Sequence, residues 1–126
     1  SKDNPLYYIQ YAHARICSVF RKSKIDEDSL SEADLNLLDS ERETEIIKSL
    51  GQYPKIIERA ANSYEPHLIC YFLKELSASF HGYYNNEKFL IEDEDLMKSR
   101  LFLLKCIKQV IQNGLRVLGQ RAPKEM

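Results

Sequence analysis

The sequence predicts an all-α bundle, and three observations predict it. Apolar residues recur with a 3.6-residue period over long stretches. Only four glycines and four prolines interrupt 126 residues. Most of the long apolar stretches carry a helix-start or helix-stop signal at their ends. A chain of this length forms one domain and buries about two thirds of its unfolded surface without disulfide or metal staples.

The first helix is predicted from Pro5 to Lys22, with Asn4 as N-cap and proline at the first helical position. Ile9, Ala12, Ile16, Val19 and Phe20 form its apolar stripe. Tyr7, Tyr8, Tyr11, His13 and Arg15 are dense for one helix. With no second histidine or carboxylate at i+3 or i+4, His13 reads as a hydrogen-bonded packing histidine. Ile25 to Asp39 is an acidic connector, with Ser29 or Ser31 capping a short helix and Leu30, Leu35, Leu37 and Leu38 anchoring it. Its charges read as solubilising. Ser40 and Glu43 make a capping box that opens a helix over Glu41–Leu50, with Ile46, Ile47 and Leu50 inward and Gly51 ending it. Tyr53-Pro54 starts a further helix that closes at Asn62-Ser63.

A third long helix is predicted from Pro66 to Tyr84, striped by Ile69, Phe72, Leu73, Leu76, Phe80 and Tyr83. Aromatics, a histidine and amides crowd its end, Phe80-His81-Gly82-Tyr83-Tyr84-Asn85-Asn86, as at a platform on which bases stack. Phe80 and Tyr83 read as core; Tyr84, at a fraying end beside Asn85, reads as exposed. Glu92 to Asp95 place negative charge at the start of the last helix, Leu96–Leu118. That helix stops at Gly119, with Pro123 beyond it.

Net charge is −1 but unevenly spread. Asp26, Glu27, Asp28, Glu32, Asp34, Asp39, Glu41, Glu43 and Glu45 face the single base Arg42 between positions 26 and 45. Leu96 to Lys124 contains no acid and carries Lys98, Arg100, Lys105, Lys108, Arg116, Arg121 and Lys124. Lys105, Lys108, Gln109, Gln112, Asn113 and Arg116 share the polar face of the last helix. The distribution predicts one acidic and one basic surface, and local field is what a polyanion meets. Cys17, Cys70 and Cys106 lack metal-ligand spacing and are odd in number, so they read as buried thiols in a reducing cytosol. The sequence has no glycine-rich phosphate loop, no nucleophile–base set, no internal repeat and no apolar run of transmembrane length. The opening Ser1-Lys2-Asp3-Asn4-Pro5 reads as a domain cut from a longer chain.

Asn4-Pro5-Leu6-Tyr7-Tyr8-Ile9-Gln10-Tyr11-Ala12-His13-Ala14-Arg15-Ile16 resembles the opening helix of the C-terminal anticodon-binding (DALR-type) domain of bacterial class I arginyl-tRNA synthetase. The resemblance continues through Tyr64-Glu65-Pro66-His67-Leu68, Tyr71 to Leu76 and Phe80-His81-Gly82-Tyr83-Tyr84-Asn85. It ends with Arg100-Leu101, Gln109-Val110, Asn113 to Gly119 and Ala122-Pro123-Lys124-Glu125-Met126. It implies a helical bundle of the class I anticodon-binding type. Residues 1–126 would be a single domain, the C-terminal part of an arginine–tRNA ligase. It further implies an anticodon loop held by Tyr11, Arg15, Tyr84 and Met126, with Asn85, Asn113 and Arg116 in supporting places. The implied partners are arginine tRNA and the catalytic domain of the same chain, with no DNA or membrane partner and a monomeric state in the cytoplasm. ATP and magnesium would serve the parent enzyme; this domain would need no cofactor or metal and would not catalyse on its own. The competing reading is a helical protein–protein interaction module, suggested by the acidic connector and the wide apolar face.

Overall fold

The computed structural model describes residues 4–126. Four helices, α1 (Pro5–Ser23), α2 (Glu41–Ser63), α3 (His67–Asn86) and α4 (Glu94–Val117), form a bundle, and no strand occurs among the described residues. α3 lies in the middle, packed on α1, α2 and α4, and α4 closes the bundle against α1 and α2. The stripes read from the sequence meet in one core: Ile9, Ile16, Leu73, Leu76, Phe80, Leu104, Ile107 and Ile111 are fully or almost fully buried.

The ends follow their caps. Asn4 Oδ1 accepts from the Leu6 amide at 2.9 Å, ahead of Pro5. Ser40 and Glu43 exchange both bonds of the capping box. Asp93 caps α4 through the Leu96 amide. Gly119 takes φ +74°, and the Gln120 amide folds back to the Leu115 carbonyl at 2.8 Å, as in a left-handed helix stop.

Two predicted helices are one. Gly51 does not end α2 and Tyr53-Pro54 does not start a new helix; α2 runs unbroken with Pro54 inside it. The proline removes the bond to the Leu50 carbonyl. The loss is outweighed because Ile46, Leu50, Tyr53, Ile57 and Ala60 keep one inward stripe through the joint. Ile47, expected inward, is exposed.

The connector folds into two 3-10 turns, Glu27–Leu30 and Leu35–Leu37. They are capped by Asp26 and Asp34 rather than by Ser29 or Ser31. Leu30 and Leu38 anchor it, whereas Leu35 and Leu37 face solvent. Its charges are also structural. The Lys108 ammonium pairs with the Glu27 carboxylate, and Lys105 Nζ donates to the Glu27 carbonyl at 3.2 Å. The predicted acidic and basic surfaces therefore meet at this point, and the Lys108 side chain is only 12% exposed. Cys17, Cys70 and Cys106 are free thiols, but half-buried rather than fully buried.

A buried polar network was not legible in the sequence. Glu43 is 1% exposed. Its Oε1 accepts from the Ser40 amide. Its Oε2 accepts from the Tyr83 hydroxyl at 2.6 Å and from Arg100 Nε at 3.0 Å. Arg100 also donates to the Lys88 carbonyl at 2.8 Å and pairs with Glu87 at 3.4 Å. One carboxylate thus joins the start of α2, the end of α3 and α4.

α3 and α4 approach closely where Gly114 faces Leu73. A Cβ there would stand 2.6 Å from a Leu73 methyl that is itself fully buried. Gly114→Ala is therefore expected to destabilise the fold by about 1–3 kcal/mol through overpacking, although alanine is the better helix former. A denaturant melt checks this; an unchanged midpoint would show that Leu73 has room to move.

Candidate nucleic-acid interface

The site begins on α1. Tyr7, Tyr11 and Arg15 are spaced four apart, so their side chains project from one face. Tyr7 and Tyr11 rings lie 6.4 Å apart, and the Arg15 guanidinium carbon sits 5.2 Å from the Tyr11 centroid. α1 packs on α3, and this face meets the end of α3, where His81 and Tyr84 are one turn apart.

The two faces interlock through rings. The His81 ring stands 4.9 Å from Tyr8, 5.6 Å from Tyr11 and 5.3 Å from Phe80. The Arg15 guanidinium lies over the Tyr84 ring, 4.0 Å from its centroid. Arg15 Nη1 is 3.2 Å from His81 Nδ1. The guanidinium always carries its protons, so it donates and the imidazole accepts. His81 is therefore neutral, with its proton on Nε2. That nitrogen is buried and makes no hydrogen bond of normal geometry. Burial and the Arg15 charge hold the His81 pKa below its ordinary value, against a smaller opposing pull from the Tyr8 backbone.

A strap completes the site. After Gly119 the chain returns along α1, which grips it by backbone carbonyls. Gln10 Nε2 donates to the Arg121 carbonyl at 2.9 Å. His13 Nδ1 donates to the Pro123 carbonyl at 2.7 Å. Arg21 Nη1 donates to the Lys124 carbonyl at 3.0 Å. His13 is thus the packing histidine expected, with its pKa lowered chiefly by burial. The strap delivers Glu125 and Met126 to the edge of the Arg15–Tyr84 pair.

The result is a pocket of about 260 Å³ lined by Tyr11, Ala14, Arg15, Ser18, Arg21, Tyr84, Glu125 and Met126. An enclosed cavity of roughly 150 Å³ holds benzene, so this volume suits a flat heterocycle of one or two rings. Among the described residues Arg15 is in no ion pair with a carboxylate. Its charge is held by a neutral ring acceptor and aromatic faces, which orient it without neutralising it.

Four of the seven residues predicted for the site, Tyr11, Arg15, Tyr84 and Met126, line this one pocket. Tyr84 differs from expectation in one respect. α3 continues to Asn86, so the ring is not at a fraying end, and it is half-buried beneath Arg15. Asn85 is exposed and does not line the pocket. Asn113 and Arg116 border a different depression, with Gln109, Gln112, Gln120 and Ala122. Asn113 Oδ1 accepts the Tyr53 hydroxyl, a bond that fixes α4 to α2. His81, Arg21 and Glu125 lie outside the predicted set. The spacing of Ala14, Ser18 and Arg21 down one side of α1 is a signal that points to Arg21; no sequence signal pairs His81 with Arg15.

Among the described residues no group of three or more His, Cys, Asp or Glu is placed to hold a metal ion. Among the same residues no helix is long and apolar enough to cross a membrane.

Residues 9–126 match the family model described as the DALR anticodon binding domain. The chain is 49% identical over 130 residues to an arginine–tRNA ligase of Coxiella burnetii, and covers all of this chain but 22% of that protein. It is 46% identical over 129 residues to an arginine–tRNA ligase of Geobacter metallireducens, of which it spans 23%. Its fold superposes on the arginyl-tRNA synthetase of Thermus thermophilus with a TM-score of 0.87 at 29% identity, over 100% of this chain and 22% of that one. The chain therefore spans about a fifth of the length of the relatives it matches.

Proposed function

The chain belongs to the DALR anticodon binding domain family, and from that premise we propose that it binds the anticodon loop of arginine tRNA as the C-terminal domain of an arginine–tRNA ligase. The observation that carries the reading is the Arg15–Tyr84 pair, a charged plane laid on a ring beside an open pocket. A single-stranded loop presents what such a pocket takes: unstacked bases to lie against rings, and phosphates to meet cations. In this reading Arg15 gives charge and a planar hydrogen-bonding fork. Tyr11 and Tyr84 give faces, and Met126 gives a soft apolar wall that follows a base outline.

The ligation of arginine to tRNA then belongs to the rest of the parent protein, with ATP and magnesium acting there. This domain supplies binding alone and needs no cofactor of its own. The parent acts as a cytoplasmic monomer, with this domain docked on its catalytic part.

The test is a filter-binding titration of the full-length protein with arginine tRNA and with the same tRNA altered at its central anticodon base. The altered tRNA is expected to bind at least tenfold more weakly. The affinity of both should fall with salt, as phosphate contacts require. Equal affinity for the two tRNAs would overturn the proposal.

A further inference from the structure

We infer that His81 is a positioning residue for RNA binding: its Nδ1 acceptor holds the Arg15 guanidinium flat on the Tyr84 ring, in the orientation that faces the pocket. The inference rests on the proposed RNA-binding role of that pocket and assigns the group that sets its geometry.

Arginine has four side-chain torsions, and a guanidinium held by one ring alone can swing about the ring normal. A second, directional contact removes that freedom. A carboxylate would supply it more strongly, but would also neutralise the charge a phosphate must meet. A neutral imidazole nitrogen supplies the direction without the charge. His81 can do this only as the Nε2-protonated tautomer, which leaves the Nδ1 lone pair toward Arg15. Two features keep it so. The ring is fixed between Tyr8, Tyr11 and Phe80. Its pKa is lowered by burial and by Arg15 itself.

The alternative is that His81 is only a space-filling ring, and two substitutions separate the roles because they rank oppositely. His81→Phe keeps an aromatic ring and loses the acceptor. His81→Asn loses most of the ring but can place its amide oxygen near the position of Nδ1. In the full-length protein with arginine tRNA, positioning predicts that H81F weakens binding about tenfold and H81N much less. One hydrogen bond to a charged group is of that size, at 1.4 kcal/mol per decade. Packing alone predicts the reverse order, with H81N the weaker binder and the less stable protein. The double variant R15A/H81F should bind no more weakly than R15A.

Melting temperatures of all variants exclude unfolding as the cause. If R15A weakens binding and H81F does not, the role given to His81 is overturned and the pocket stands. If R15A itself leaves binding unchanged, the pocket reading falls and the inference with it. A stronger loss in H81N than in H81F, at equal melting temperatures, also overturns the positioning role.

Discussion

Glu43→Ala is expected to lower the unfolding free energy by roughly 3–5 kcal/mol, the size seen when one partner of a buried ion pair is removed. The carboxylate serves three donors at once: the Ser40 amide, the Tyr83 hydroxyl and Arg100 Nε. Its loss leaves a fully buried phenol and a guanidinium only 14% exposed without their acceptor. It also dissolves half of the capping box that starts α2. For a chain of this length the midpoint should fall by on the order of 10 °C or more. Glu43→Gln keeps an acceptor oxygen and should lose less.

The acid limb of the stability curve gives a second measurement. Burial of Glu43 works to raise its pKa. The bonds from Tyr83 and Ser40 and the Arg100 charge outweigh it, so the folded value lies below the ordinary one. A group lowered in this way stabilises the fold fully above its unfolded pKa, about 4.3. That contribution is lost as pH falls through the folded value. The wild-type midpoint should therefore drop more steeply below pH about 4.5 than that of E43A. Tyr83, pushed far above the ordinary tyrosine value by burial and by Glu43, stays protonated throughout and keeps donating. Parallel acid limbs would show that Glu43 contributes packing rather than charge.

Tyr84→Ala in the full-length protein is expected to carry the largest loss of tRNA affinity. A stacking ring contributes roughly 1–3 kcal/mol per base, which is about 5- to 150-fold in affinity. Here the ring has two tasks, since it is also the plane on which Arg15 lies. Removing it releases Arg15, so Y84A and R15A should be less than additive when combined. Arg15→Ala alone should flatten the salt slope by about 0.7 for one phosphate contact on a single strand. Tyr84→Phe keeps the ring and should bind almost normally. An affinity unchanged in Y84A, or one that falls only as far as the melting temperature does, would remove Tyr84 from the interface.

What the sequence shows of the fold depends on the range of the interactions. Caps and stripes are local, and the starts at Asn4 and Ser40 and the stop at Gly119 follow directly from them, whereas α4 starts at Glu94, before the predicted Leu96, because Asp93 is its cap. Gly51 and Pro54 misled because their local cost is real, but the stripe that overrides it is satisfied only by α3 and α4. Leu35 and Leu37 misled because a connector of two short turns has no period from which an inward face can be read. Glu43 looked like a cap residue and is one; its bonds to positions 83 and 100 depend on the packing of three helices. In the candidate site, helical spacing accounts for Tyr11 and Arg15 sharing a face of α1, while their role came from the family resemblance. Their meeting with Tyr84 and Met126 came from the family resemblance and not from spacing, and the contact between Arg15 and His81 came from neither.

The strap over α1 has a consequence for mutational tolerance. All three of its anchors are carbonyl oxygens of the main chain, at Arg121, Pro123 and Lys124. Any residue offers the same oxygen, so substitutions at these three positions leave the hydrogen bonds intact wherever the backbone keeps its path. The donors are different. Gln10, His13 and Arg21 each reach their carbonyl with a side chain of particular length, and few replacements reproduce it. In a library of variants, depletion should therefore fall on the helix that does the holding, while positions 121, 123 and 124 drift.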